Sequence, residues 1–345
     1  MANQQASRPK SVLGGTSIAA VVLVIVLPFI LPATTLASQI LIFALATLAC
    51  NLLLGYTGLL SFGQGLFFGA GAYIGSLVMI HASAGLFLAI VAAALGCALV
   101  AALLGALIIR RSGIYFVMLT LAFAQVAYFL AYTLSNWTGG ENGLLDIPRP
   151  PIGLGSWHLV SLSSSSAFYA FIAVLFILIY IAARRVIQSP FGSTLIAIRE
   201  NEVRAWTLGY NVYFFKLLAF VLAGAITGIA GLLYAMLLNF APLSNIELAM
   251  SETILIMAII GGAASMFGSL LGASFVVLLG EFLSPIWPRW MILLGAALLA
   301  ISLYMQGGIW GLIETVMATA RTKFKSRNTG HASIESASPA DGDES

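Results

Sequence analysis

Apolar runs separated by short polar breaks follow one another along nearly the whole chain. A helix needs ~20 mostly apolar residues to cross a bilayer. That length divides the sequence into ten expected spans, at 16–33, 37–54, 60–80, 86–109, 113–135, 166–183, 214–238, 249–264, 266–283 and 289–306. The count falls to eight if one or two of these segments only dip into the membrane. Composition agrees: 61% apolar residues, 8% charged and a mean hydropathy of +1.04 leave too little polar surface to coat a soluble globule. The expected fold is an all-α polytopic membrane protein.

Orientation follows from the basic residues, which are retained on the cytoplasmic side near span ends. Ten spans with both termini cytoplasmic place Arg8, Lys10, Arg110, Arg111, Arg184, Arg185, Arg199, Arg204, Lys216, Arg321, Lys323, Lys325 and Arg327 inside, leaving only Arg149 and Arg289 outside. The net charge of +3 is thus topogenic and implies no nucleic-acid partner. The chain then divides into a cytoplasmic arm at 1–15, a transmembrane domain at 16–320 and a basic, then disordered, cytoplasmic tail at 321–345. Within the domain, 184–213 is cytoplasmic and 136–165 external. Arg8 and Lys10 before an apolar run ending near Thr35 and Ala37 also match a signal peptide, but the run is long for one and a second span follows at once. Cys50 and Cys97 fall in spans and read as small buried hydrophobes rather than disulfide or metal ligands.

Several mechanisms lack their residues. No Gly-Lys pair occurs, so the chain has no phosphate-binding loop of the G-x-x-x-x-G-K-[ST] kind. Ion-coupled carriers usually bury ionisable groups near the membrane centre, whereas Glu252, Glu281 and Glu314 lie near span ends. The histidines sit at span ends, in a loop or in the tail. Nothing forms a nucleophile, metal cluster or carboxylate pair, so no catalytic or metal site is expected.

Two glycine-rich stretches interrupt the spans. Between Gly55 and Gly75 seven glycines fall in 21 residues: Gly55, Gly58, Gly63, Gly65, Gly69, Gly71 and Gly75. Small-xxx-small spacings among them permit close helix packing; the other reading is a broken helix lining a passage. On that second reading Ser61 and Gln64, three apart, share one face and offer neutral hydrogen-bonding groups to a solute. The stretch Gly261–Ala273, with Gly261, Gly262 and Gly268, has a similar texture and is a candidate counterpart in a parallel repeat. In the fifth span Thr120 is expected to bond back to its own helix. Gln125, costlier to bury alone, is the better candidate for the passage. The Pro- and Gly-rich loop at 136–165 predicts turns.

Residues 184–216 hold Arg184, Arg185, Arg199, Glu200, Glu202, Arg204 and Lys216, a concentration of charge unlike the rest of the chain. Ser189-Pro190 predicts a helix start, with Ser at the N-cap and Pro first, running to about Glu200. Asn201 caps a second helix with Glu202 in its first turn, and Gly209 ends it in the left-handed conformation. Glu200 and Arg204, four apart, are placed to pair. The elbow carries Ile198, Val203, Trp206 and Leu208. An amphipathic helix lying on lipid is one reading; the segment's length and its Trp favour a docking knob for a cytoplasmic protein.

With these residues in view, RENEVRAWTLGYNVYFFKLLAF (Arg199–Phe220) resembles the coupling-loop region of ABC importer permeases of the branched-chain amino-acid type. GYTGLLSFGQGLFFGAGAY and TGGENGLLDIP resemble stretches of that family's second, longer membrane subunit, which read G-x-x-G-x-x-S-x-G and T-G-G-x-x-G-L, and GGAASMFGSLLGA fits as well. Together these cover about residues 50–275. Two departures stand out. Gln64 occupies a position where many relatives have His, and the E-A-A signature is degenerate, with Val203 and Arg204 between Glu202 and Ala205.

The resemblance implies a permease subunit in the bacterial cytoplasmic (inner) membrane that moves branched-chain or related amino acids. It implies a homologous second permease subunit, two cytoplasmic subunits that bind ATP and Mg, and an external solute-binding protein; the chain itself binds no cofactor. Arg199, Glu200, Glu202, Arg204, Ala205, Leu208 and Gly209 become the ATPase-coupling loop. An ion-coupled secondary carrier of small polar solutes and a channel or structural membrane subunit are the other classes the residues leave open.

Overall fold

In the computed structural model, residues 10–81, 85–150, 152–154, 157–160, 162, 164–287, 289–304 and 307–315 are described. The expected tail at 321–345 and most of the arm at 1–15 lie outside them. The helices are α1 (Lys10–Ile30), α2 (Thr34–Asn51), α3 (Gln64–His81), α4 (Leu86–Ile108), α5 (Ile114–Thr133), α6 (Ser135–Thr138), α7 (Ser165–Gln188), α8 (Pro190–Glu200), α9 (Glu202–Thr207), α10 (Val212–Leu238), α11 (Leu248–Gly261), α12 (Met266–Leu283) and α13 (Trp290–Tyr304). A π-helical turn, Leu52–Thr57, continues α2. A short antiparallel ribbon, β1 (Ile152–Leu154) with β2 (Trp157–Val160), lies in the connection before α7.

Packing follows from the solvent. Where lipid is as apolar as leucine, helices are held by close backbone approach rather than by hiding large side chains. In α4 the buried seam is Leu86, Ala89, Ala93, Cys97, Ala101, Gly105 and Ile108, while Leu88, Leu95, Leu99, Leu103 and Leu107 point outward. Small residues inside and leucines outside invert the pattern of a soluble helix. α2 is buried almost all round from Leu36 to Asn51 and packs on α7, α10, α11 and α12. α3 packs against both α10 and α4.

Six stretches are long and apolar enough to cross a membrane: Thr34–Thr57, Leu86–Ile108, Ile114–Thr133, Ser165–Gln188, Val212–Leu238 and Met266–Leu283. Helices also occupy the other four expected spans, but with corrections. The span expected at 60–80 becomes helical only at Gln64, and that expected at 249–264 ends at Gly261 because Gly262 and Ala264 take positive φ. The 289–306 span is a 15-residue helix. The protein is therefore an all-α, multi-pass membrane protein.

The 136–165 connection is turn-rich, with α6 and a 3-10 turn at Gly140–Asn142, and it is tied to the chain after α10. Leu144 bridges Ala241, and the Ile147 N–H donates to the Asn239 carbonyl at 3.0 Å. Arg149 donates from Nε to the Met236 carbonyl at 2.8 Å and from Nη2 to the Leu237 carbonyl at 2.7 Å, capping the last turn of α10. Its guanidinium also lies 4.9 Å from the centre of the Phe168 ring. Burial pulls its pKa down from the usual guanidinium value, yet a guanidinium remains charged.

One close helix contact predicts its own test. A Cβ on Gly71 would lie 2.1 Å from the Gly228 carbonyl oxygen, so α3 and α10 touch backbone to backbone, whereas a Cβ on Gly295 would meet nothing within 4 Å. Gly71→Val is expected to separate the two helices at a cost of about 1–3 kcal/mol or more. In thermal unfolding of the purified protein this appears as a lowered midpoint, with Gly295→Val unchanged.

Candidate functional site

The elbow forms as its sequence signals require. Pro190 opens α8 at the first helical position, but the Ser189 hydroxyl donates to the Val186 carbonyl at 2.6 Å instead of capping. Asn201 is extended (φ −157°, ψ 101°), and its Oδ1 accepts the Arg204 N–H at 2.9 Å, starting α9. The end of α9 carries a paired closure: Gly209 N–H donates to the Trp206 carbonyl at 2.9 Å and Tyr210 N–H to the Ala205 carbonyl at 3.2 Å. This pattern needs a left-handed residue, and Gly209 supplies it at φ +88°. Asn211, which the sequence reading passed over, caps α10 by accepting the Phe214 N–H at 3.2 Å.

The expected Glu200–Arg204 pair is absent. Asn201 breaks the helix between them, so four residues no longer equal one turn. Glu202 instead takes Lys216 of α10 at 2.7 Å; the lysine side chain is 5% exposed and the glutamate 47%. Ile198, one of the four apolar residues the elbow carries, turns inward to a small cluster with Ala205 and Val212, with Phe215 packed beside it. Val203, Trp206 and Leu208 stay outside at 70%, 70% and 71% exposure. Beside them a groove of about 680 Å³ is lined by Arg110, Glu202, Trp206, Tyr210 and Lys216 among others. Arg199 reaches back from α8: its guanidinium donates to the Gly55 carbonyl, and its methylenes lie along Gly58.

That contact leads into the glycine-rich break. α2 widens into the π turn Leu52–Thr57, a rare geometry frequently found at functional sites. The chain is then non-helical from Gly58 to Gly63 before α3 begins. Ser61 therefore lies ahead of the helix and does not share a helical face with Gln64; its Oγ accepts the Gly63 N–H at 3.1 Å. Gln64 is fully buried, with Oε1 accepting from Thr227 Oγ1 at 2.7 Å, about midway along α10, and with Nε2 unpartnered. Thr120 bonds back to the Val117 carbonyl at 2.8 Å, as expected, and also accepts the Phe62 N–H at 3.2 Å. Gln125 lies on the exposed face of α5, away from Ser61 and Gln64, so the three do not form one polar site.

The two glycine-rich stretches meet. A Cβ on Gly55 would lie 2.3 Å from Ala264 N, one on Gly69 would collide with Ile246, and Gly261 and Gly268 touch through their backbones. Asn51, missed in the sequence because an asparagine in a span carries no signature, joins the stretches. Its Nδ2 donates to the Gly262 and Ser265 carbonyls at 3.2 and 2.9 Å and to Ser269 Oγ at 3.0 Å, and its Oδ1 accepts the Ala264 N–H at 3.1 Å. Tyr56 adds a bond to the Ala264 carbonyl at 2.9 Å.

A family profile described as branched-chain amino acid transport system / permease component matches residues 33–303. Among curated proteins, the chain is 28% identical over 312 residues to the high-affinity branched-chain amino acid transport system permease protein LivM of Escherichia coli, covering 85% of this chain and 73% of the relative. It is 27% identical over 292 residues to the protein of the same description in Salmonella typhimurium, covering 79% and 69%. A probable branched-chain amino acid transport permease protein LivM of Methanocaldococcus jannaschii aligns at 29% identity over 39% of this chain and 44% of its own. No solved structure matches the chain.

The Glu202–Lys216 pair is asymmetric, and so are its deletions. Glu202→Ala leaves a buried ammonium without a counter-ion and is expected to cost about 1–3 kcal/mol, discounted for the half-exposed carboxylate. Lys216→Met leaves a carboxylate that water can reach and is expected to cost less. Thermal unfolding of the two variants side by side checks the order.

Proposed function

The chain belongs to the permease-component family of branched-chain amino acid transport systems, and we propose that with a homologous second membrane subunit it forms the translocation pathway of an ATP-driven importer for branched-chain amino acids. The match over residues 33–303 and the names of the relatives support the solute class. In this reading ATP and Mg are bound by two separate cytoplasmic subunits, and an external binding protein delivers the solute. The chain crosses the bacterial inner membrane ten times with both ends cytoplasmic, a topology supported by the distribution of basic residues.

The observation that carries the reading is the elbow: three large apolar side chains, Val203, Trp206 and Leu208, project from a capped helix pair fastened to the bundle by Lys216 and Arg199. A polar connection needs no such surface, whereas an ATPase cleft does. Closure of the ATPases would press on Arg199–Gly209. The push would pass through Glu202–Lys216 to α10 and through Arg199 to the break at Gly55 and Gly58, rocking the spans between outward- and inward-open states. α3 is the wall of the passage in this reading. Its support is that Gln64, Tyr73 and Ser76 of α3, and Asn245 of the turn packed against it, carry buried polar atoms with no hydrogen-bond partner. Gln125 fits contact with the second membrane subunit better than the passage.

Two substitutions test the coupling. Trp206→Ala removes an already exposed side chain, so stability should hold while the affinity of the ATPase subunits falls about thirtyfold, the equivalent of a 2 kcal/mol anchor. Gly209→Pro, which cannot take φ +88°, should abolish uptake and solute-stimulated ATP hydrolysis while the subunit still inserts. Unchanged uptake and hydrolysis in reconstituted vesicles would reject the assignment.

A further inference from the structure

A second groove, of about 370 Å³, opens between α2, α11, α12 and α13, a volume in the range of small-molecule sites. Met257, Val276 and Val277 form an aliphatic wall, and Gln39, Glu281 and Ser284 bring an amide, a carboxylate and a hydroxyl to its rim. The sequence placed Glu281 at a span end without a role; the fold brings it to the same groove as Gln39. No cationic side chain pairs with Glu281 among the described residues, and its carboxylate is exposed close to the end of α12, open to a cationic group arriving from outside the chain. On α2, Gln39 stands twelve residues from Asn51, about 18 Å along the helix; on α12, Glu281 stands sixteen residues from Ser265, about 24 Å. Since Asn51 and Ser265 meet near the elbow end, the groove opens toward the opposite end of the bundle.

We propose that this groove receives the free amino acid, with its ammonium on Glu281, its carboxylate at the Gln39 amide and Ser284 hydroxyl, and an aliphatic side chain against Met257, Val276 and Val277. The assignment deepens the importer reading and rests on it, since in that topology the groove faces the side from which solute arrives. The mixture of groups selects the ligand. A wholly apolar groove would suit an acyl chain, and a lone carboxylate repels anionic headgroups. Two fixed charges of opposite sign beside a branched aliphatic group are what this rim and wall complement. The membrane subunit thereby acquires its own selectivity for a free amino group, separate from that of any binding protein.

Trp290 lines the same groove and serves as reporter. In lipid nanodiscs holding this chain and its partner membrane subunit, L-leucine is expected to change tryptophan emission saturably, and Trp290→Phe to remove that change. N-acetyl-leucine, which lacks the ammonium, should produce none. Glu281→Gln should weaken the leucine response about three- to tenfold. A wild-type protein blind to leucine, equal responses to both probes, or an unchanged response in Glu281→Gln would each overturn the site. ATP-driven leucine uptake by the full complex is measured in parallel. Uptake without a Trp290 response removes the site alone; binding without uptake removes the importer reading and keeps the site.

Discussion

Buried backbone polar groups have no water to turn to, and this protein packs two helix-to-helix connections against each other at the elbow end of the bundle, after α2 and between α11 and α12. One carboxamide at the end of α2 holds the α11–α12 connection to it. Asn51 serves the Gly262 and Ser265 carbonyls and the Ala264 N–H at once, groups that the turn would otherwise leave bare at about 1–3 kcal/mol each. Asn51 stands immediately before the π turn Leu52–Thr57, so the turn, the non-helical segment 58–63 and the landing place of Arg199 lie beside the same node.

Around that node the bundle is assembled by smallness. Gly71 against Gly228, Gly231 against Phe68 and Gly224 against Ala101 bring α3, α4 and α10 to backbone contact. Leucine and phenylalanine are spent on the outside, where a soluble protein would expose charge. The aromatic residues that do enter the core, such as Phe67 and Phe220 with ring centres 5.4 Å apart, fill space that glycine leaves beside the contacts.

Much of the elbow could be read from the sequence because its signals are local. Pro190, Asn201, Glu202 and Gly209 each act within one turn of themselves, and each stands where its chemistry required. The long-range choices could not be read. Glu202 had Arg204 and others within reach on paper, and only the fold brings Lys216 of another helix to it. Pairing Glu200 with Arg204 across the junction rested on their spacing alone, and the extended Asn201 between them removes the one-turn relation that spacing implies. The position of Gln125 on an outer face depends on the rotation of α5, which a uniformly apolar helix does not encode. Asn51 and the Gln39–Glu281 groove involve residues over two hundred positions apart, so no spacing rule connects them.

Lys216 and Arg149 stand at opposite ends of α10, the 27-residue helix they both hold. One binds its first turns to the elbow, the other closes its last carbonyls with a guanidinium rooted in the 136–165 connection. Such a helix is about 40 Å long and stiff. It behaves as a lever with a handle at each face of the bilayer: tilting it from one end must displace what is fastened at the other. A load on either surface is therefore felt on both, and the residues at its pivot, where Gly224, Gly228 and Gly231 run flush against α3 and α4, leave little slack for the motion to be lost.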